Sequence, residues 1–263
     1  MDLKLHGQTV LVAGASEGIG FATAQLFLEE GARVLIASRS AEKLTQAAAQ
    51  LQQATDKTVE WKVADLRNAD DVEALADWVG TFTSALDVLV TTVGGSHRAT
   101  FAELTDVDWL ASYEFNLLGT VRIIRALQPS LSASGNGRII TLGAGAARMP
   151  YPNQIVSNVH KAGMLSLVKT LAAELADQHI RINSVCPGRT LTSLWTNRAD
   201  AMAAERGVDR DTIIEEFTHE IPMKRFGQAV ESANMIVFLA SPLASYVTGQ
   251  SINVDGGIAR SLL

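Results

Sequence analysis

The chain has one cysteine, Cys186, in 263 residues. An internal disulfide is excluded, and no cysteine cluster is available to hold a metal. No apolar run reaches the about 18 residues that a membrane-spanning helix needs. The opening residues, MDLKLHGQ, carry an early acid and lack the apolar segment of a secretory signal, so a cytoplasmic setting is expected. Basic residues are the minority, 22 Lys and Arg against 28 Asp and Glu, for a net charge of −6. That balance argues against nucleic acid or an anionic membrane surface as a partner. Charged residues make up only 19% and hydrophobic ones 47%, which is globular and far from disorder. No linker, low-complexity tract or repeat interrupts the order, so residues 1–263 are expected to form one domain.

What is present starts with residues 9–20, TVLVAGASEGIG. An apolar run stops at three glycines, Gly14, Gly18 and Gly20, and a helical repeat follows through Ile19, Ala22, Thr23, Leu26 and Phe27. This predicts a buried strand, a tight turn and a helix. Glycines let a backbone approach a diphosphate, and the N–H groups of a new helix attract its charge. The pattern then repeats. Strands are expected at 33–38, 58–64, 86–93, 138–142, 181–185 and 251–254, and helices at 41–54, 69–82, 109–128, 156–176 and 231–239. Pro129 is expected to break the long helix, and Val156, Val159, Met164, Leu167, Val168, Leu171 and Leu175 to be the buried side of the one at 156–176. Strand and helix in alternation predict an α/β fold, a single doubly wound parallel sheet with helices on both faces. The polar, irregular stretch 190–224 reads as an inserted helical lid, whose Trp195, Met202 and Phe217 form either an apolar pocket wall or the lid's own small core.

This chain resembles the short-chain dehydrogenase/reductase family over nearly its whole length. The matching landmarks are Gly14-x-x-x-Gly18-x-Gly20, Asp65-Leu66, Asn116 in the long helix, Lys161, Pro187-Gly188 followed by Thr190 and Thr192, and the closing TGQSINVDGG. The resemblance implies a Rossmann fold and a pyridine nucleotide held by Gly14, Ser16, Gly18, Ile19 and Gly20. Where NAD-preferring members carry an acid after the second strand, this chain has Ser38 and Arg39. A guanidinium favours the extra phosphate of NADP, so NADPH is favoured over NADH, although Glu17 in the glycine turn stands against it. The resemblance has Asp65 accept from the adenine amine, with strand-end capping as its plainer role, and has Thr190 and Thr192 meet the carboxamide or diphosphate or, more simply, cap the lid helix. After the fourth strand the family's Asn-Asn-Ala-Gly is replaced by Thr91-Thr92-Val93-Gly94, which keeps the backbone path but changes its hydrogen bonds. His97 and Arg98 lie where a substrate mouth is expected and read either as recognition of an anionic or polar substrate or as solvated loop.

The departure lies at the chemical centre. Family members carry Tyr-x-x-x-Lys, with a serine thirteen residues before the tyrosine. Counting back from Lys161 puts Ser157 in the tyrosine place and Ala144 in the serine place, and Pro152 supports the ungapped count. The longer spacing of the enoyl-reductase branch puts Gln154 there instead. Of four catalytic side chains, Asn116 and Lys161 remain. An alkyl hydroxyl is a far weaker acid than a phenol and is shorter by a ring, so Ser157 can orient a carbonyl or hold a water but is a poor proton donor. His160, Tyr151 and water are the other proton sources, with packing as the plainer role of His160. Lys161 is expected on the nicotinamide ribose, Asn116 either in the relay or holding a helix kink, and Cys186 as a buried filler.

The leading expectation is an NADP(H)-dependent oxidoreductase acting on a carbonyl, imine or activated double bond of a small molecule, with Asn116, Ser157 and Lys161 at its centre. A catalytically silent cofactor-binding protein and a non-redox lyase or isomerase are the alternatives. A homotetramer or homodimer is implied by the resemblance, with Ala172 and Leu175 among the apolar positions that permit it.

Overall fold

The computed structural model describes residues 2–261. Among them, seven parallel strands form one sheet in the order β3-β2-β1-β4-β5-β6-β9: β1 Thr9–Ala13, β2 Arg33–Ser38, β3 Glu60–Val63, β4 Val88–Thr91, β5 Gly137–Leu142, β6 Ile180–Pro187 and β9 Ser251–Val254. The strand order reverses between β1 and β4, where Val10 to Ala13 pair with Val88 to Thr91. In such sheets a crevice opens beyond the strands' carboxyl ends at the reversal, and that is where the glycine turn lies.

Alternation along the strands divides the core. Val10, Val12, Val34, Ile36, Val88, Val90 and Ile140 face one layer, with Phe27 and Leu28 of α1 (Gly18–Glu29), Leu44 and Leu51 of α2 (Ala41–Thr55), and Ile236 and Leu239 of α9 (Ala229–Ala240). Leu11, Leu35, Leu89, Ile139 and Ile182 face the other, with Leu75 and Val79 of α3 (Ala69–Gly80), Ile123 and Leu127 of α5 (Gly119–Ala133), and Val168 of α6 (Ile155–Glu174). Period-two side-chain direction is what lets each strand serve both layers. Each fully buried Leu, Ile or Val stabilises the fold by about 1.5–3 kcal/mol. The doubly wound architecture is therefore as expected.

Several local expectations are corrected. The third strand is shorter than 58–64 and, as the outer edge of the sheet, leaves Trp61 and Val63 exposed. Pro129 does not end a helix; it lies within α5 on the exposed side, where solvent can meet the carbonyl it leaves unpaired. The long helix is instead interrupted earlier. Between α4 (Asp106–Tyr113) and α5 runs a π-helical turn, Glu114–Leu118, centred on Asn116. Val159 of α6 is 48% exposed, because His160 rather than Val159 packs against α4. Ala172 and Leu175 belong to the inner core layer rather than to an outer face.

The stretch 190–224 contains strand β7 (Thr190–Leu191) and the helices α7 (Ser193–Arg206) and α8 (Arg210–His219). Strand β7 pairs with β8 (Gly227–Gln228) in a separate two-stranded ribbon. Met202 and Phe217 pack on Ala199, Ala203 and Ile213. Trp195 and Phe217 pack on Ile221, Phe226 and Ile258. No helix among the described residues is long and apolar enough to cross a membrane.

Candidate active site

A groove of about 700 Å³ runs along the carboxyl ends of β1, β2, β3 and β4. Its walls include Gly14, Ser16, Gly18, Ile19 and Gly20 of the glycine turn, Ser38 and Arg39, Asp65 and Leu66, Val93 and Gly94, and Thr192. The glycine turn is packed against its own backbone. A Cβ on Gly20 would lie 2.2 Å from the Gly14 carbonyl oxygen, so no other residue fits without moving the chain. Helix α1 starts with no side-chain cap, whereas Ser40, Asn68 and Thr105 cap α2, α3 and α4. Its first N–H groups are left to whatever lies in the groove.

One end of the groove is cationic. Arg39 stacks 4.9 Å from the Phe115 ring and Arg67 lies 5.8 Å from it. Lys43 pairs with Glu17 at 3.0 Å. Burial alone would raise the Glu17 carboxyl, but hydrogen bonds from Lys43 and Ser193 and the Lys43 charge outweigh it and hold it below its ordinary value. The acid in the glycine turn is thus matched within the chain. Asp65 accepts a fork of hydrogen bonds from Arg67, at 3.0 Å from Nε and 2.6 Å from Nη2, which lowers its carboxyl. Neither Phe115 nor Arg67 was an expected site residue; Arg67, two positions after Asp65 in a strand-end loop, was the readable one of the two.

The other end is built around the turn that follows β4. The Thr92 hydroxyl donates to the Ala13 and Gly14 carbonyls at 3.0 and 3.1 Å and so ties this turn to the glycine turn. Gly95 N–H donates to Asn116 Oδ1 at 3.0 Å, and Ser157 Oγ donates to the Gly95 carbonyl at 3.1 Å. Asn116 Nδ2 donates to the Ser112 carbonyl at 3.1 Å, an acceptor that an α-turn would have given to a backbone N–H. Lys161 Nζ donates to the Leu142 carbonyl at 2.9 Å. A Cβ on Gly94 would sit 2.9 Å from Lys161 Nζ and 3.1 Å from Asn116 Oδ1, so only a glycine permits this approach. Burial lowers the Lys161 ammonium to about 8, opposed by the nearby Cys186.

Asn116, Ser157 and Lys161 are thus brought together, all buried, beneath Gly94 and Gly95. His160 is turned elsewhere. Its Nδ1 is 3.1 Å from Ser112 Oγ, and its ring meets Trp109 and Tyr113 of α4. Burial lowers its imidazolium. Cys186 is fully buried and its thiol is pushed up by burial.

A second cavity, of about 410 Å³, adjoins the groove, with Leu194 on the wall of both. It is lined by Ser96, Ala144, Tyr151, Gln154, Trp195 and three arginines, Arg98, Arg189 and Arg198. Pro187 and Gly188, expected at the cofactor, line this cavity and not the groove. Thr190 lines neither. It is buried beside a third hollow near Arg225 and Glu231, because β7 pairs away from the sheet. Of the two lid aromatics and one methionine, Trp195 lies on the cavity wall, while Met202 and Phe217 pack in the helical pair's own interior.

A family model described as Enoyl-(Acyl carrier protein) reductase matches residues 14–259. The chain belongs to the short-chain dehydrogenase/reductase family. This short-chain dehydrogenase/reductase is 35% identical to the uncharacterised oxidoreductase YvrD of Bacillus subtilis, over 100% of both chains. Among solved structures, L-sorbose reductase of Gluconobacter frateurii, complexed with NADPH and L-sorbose, superimposes with a TM-score of 0.96 at 32% identity, covering 100% of each chain. An NADPH-bound short-chain oxidoreductase of Pseudomonas aeruginosa, described as containing an atypical catalytic center, superimposes with a TM-score of 0.89. It is 30% identical, over 97% of this chain and 99% of that one.

Proposed function

We propose that this protein is an NADP(H)-dependent oxidoreductase that reduces a carbonyl, imine or activated double bond of a small organic molecule, or runs the reverse oxidation, with a non-standard set of groups at its centre. The observation that carries this is the adjacency of the two hollows, which share the wall at Leu194. The groove of about 700 Å³ has an uncapped helix start and arginines at one end, and the cavity across that wall is a side-chain cavity of about 410 Å³. The residues present fit a dinucleotide diphosphate at α1 and a 2′-phosphate near Arg39, with Lys43 neutralising the one acid that would repel it. NADPH, when bound, supplies a hydride to the adjoining cavity. The likeness to two NADPH complexes, one of a sugar reductase and one with an atypical centre, supports the same reading.

The chain's own residues then divide the work. Lys161 holds the ribose beside Gly94, where its ammonium is already within reach. Asn116 and Ser157 are positioning residues: one accepts from the Gly95 N–H, the other donates to the Gly95 carbonyl, and together they fix the turn that floors the reacting space. Ser157 stands in the family's tyrosine place and Ala144 in its serine place, so the proton comes from another group. Tyr151 and a water in the cavity are the candidates that the geometry favours over His160, which is spent on α4. Burial raises the Tyr151 phenol, so it stays protonated but is a weaker acid than a free phenol. The whole chain works as a single dinucleotide-binding unit, in the cytoplasm, with 190–224 as its substrate-side lid. It assembles as a homodimer or homotetramer.

Fluorescence titration with NADPH, followed by cofactor oxidation across a panel of carbonyls, imines and enones, tests this. Saturable binding with turnover of at least one class is expected. Binding without turnover of any class would leave the catalytically silent reading, which the commitment of the Ser157 hydroxyl to backbone also favours. Failure to bind either nucleotide would end both.

A further inference from the structure

The cavity beside the groove carries more positive charge than its surroundings answer. Arg98 reaches it from the loop after β4, Arg189 from the bend between β6 and β7, and Arg198 from α7. Only Arg189 has an acidic partner, Glu220, and that carboxylate sits outward with its side chain 57% exposed. Among the described residues, Arg98 and Arg198 make no ion pair. Arg198 Nη2 is buried with no hydrogen-bond partner at all. A buried donor left unmade is costly unless something else occupies the site.

The setting of these groups is built rather than incidental. The Arg198 guanidinium lies 4.3 Å from the Trp195 ring centre and 5.4 Å from that of Phe217. Arg189 stacks 4.6 Å from Phe217 and 5.8 Å from Trp195. Trp195 and Phe217 are themselves wedged edge to face at 5.2 Å and anchored on Phe226 and Ile258. Stacking uses the faces of the guanidiniums and leaves their N–H edges to hydrogen-bond. Burial and the charges of Arg98 and Arg189 bring Arg198 down to about 10, still fully charged at neutral pH. Like charges held this close are relieved by an anion placed among them.

We infer that the arginine cluster recognises a carboxylate on the substrate, so that the protein acts on a small oxo acid whose carboxylate is held by Arg98 and Arg198 and whose oxo group points past Ala144 toward the groove. A planar carboxylate matches the guanidinium fork in both geometry and charge. The Tyr151 hydroxyl and the Gln154 amide N–H on the same walls are left for the oxo end, the Ser96 hydroxyl being given to Gln154 Oε1 at 2.9 Å. This inference rests on the oxidoreductase reading above and gives it a substrate class.

The test uses levulinate and its methyl ester, which share the ketone and differ in the charge. Both are titrated into the protein, alone and with saturating NADPH, following tryptophan fluorescence, because Trp195 lies against the Arg198 guanidinium. Levulinate is expected to bind at least 10-fold more tightly than the ester and to be reduced in preference to it. Arg198→Gln should lower levulinate affinity by about 10- to 100-fold and leave the ester and NADPH unchanged. Arg98→Gln, in an exposed loop, should move the same preference in the same direction, which keeps the test open if the first variant does not fold. Equal binding of acid and ester by a protein that binds NADPH would overturn the oxo-acid assignment while leaving the oxidoreductase reading intact. Tighter binding of inorganic phosphate than of levulinate would overturn the carboxylate assignment. Absence of NADPH binding would instead fell the reading beneath it.

Discussion

The groove and the cavity beside it share a wall and little else. The groove is made mostly of backbone and strand-end loops, and its glycine turn is locked by contacts within the chain itself, as between Gly20 and the Gly14 carbonyl. The cavity is made mostly of long side chains, three of them arginines, that come from loops and from the inserted helices. Backbone geometry can hold a feature common to all nucleotides without regard to what is reduced. Side chains are free to differ from one relative to the next. On the proposed function, the groove takes the cofactor and the cavity the substrate; Lys161 is buried beside Gly94 of the groove wall.

The contrast breaks most severely at Gly20. Gly20→Val places a Cβ 2.2 Å from a backbone oxygen, where no side-chain rotation can help. Overpacking of this kind costs about 1–3 kcal/mol and displaces the start of α1. NADPH binding measured by calorimetry is expected to vanish, while levulinate still quenches Trp195 in the cavity. Loss of both together would show that the two hollows are one cooperative unit.

Lys161 gives the next effect. Its native value is lowered from 10.5 to about 8 by burial. The unfolded chain then binds more protons than the folded one between those values, so stability rises with pH through that window and is least below about pH 8. The change is on the order of 3 kcal/mol at most. Urea unfolding at pH 7 and pH 10 should show wild type gaining on Lys161→Met by an amount of this order. Parallel pH slopes in the two proteins would mean that the ammonium beside Gly94 is not desolvated.

Arg39→Ala sharpens the comparison with the smallest change. A charge-assisted hydrogen bond is worth about 1.5–3 kcal/mol. NADPH affinity should fall by about 10- to 100-fold, with NADH affinity and the acid-over-ester preference unmoved. An equal loss for both nucleotides would make Arg39 a packing partner of Phe115 and no reader of the 2′-phosphate.

Much of the fold was legible because its determinants are local. The apolar run Val10 to Ala13 into Gly14 and the spacing of Leu44, Ala47 and Leu51 each report on a few neighbouring residues. The groove lining at Ser16, Ser38, Arg39, Asp65 and Thr192 was legible through the family's landmarks, and the structure does bring those residues together. Thr190 was misplaced because the landmark spacing says nothing about β7 pairing outside the main sheet. Val159 was misplaced because α6 turns His160 toward Trp109 and Tyr113, a choice made by α4.

By itself, then, the order of residues determines the alternating strands and helices and the glycine turn, and it sets Ser157 four residues before Lys161. Those follow from short-range periodicity and from identity at a position. Only the folded chain decides that Arg98, Arg189 and Arg198, far apart along the chain, meet in one cavity around Trp195 and Phe217. It also decides that Lys43 answers Glu17 and that the Ser157 hydroxyl is given to the Gly95 carbonyl. Electrostatic and hydrogen-bond partners are chosen by proximity in space, and for residues tens of positions apart that proximity exists only once the sheet has closed its layers around the core.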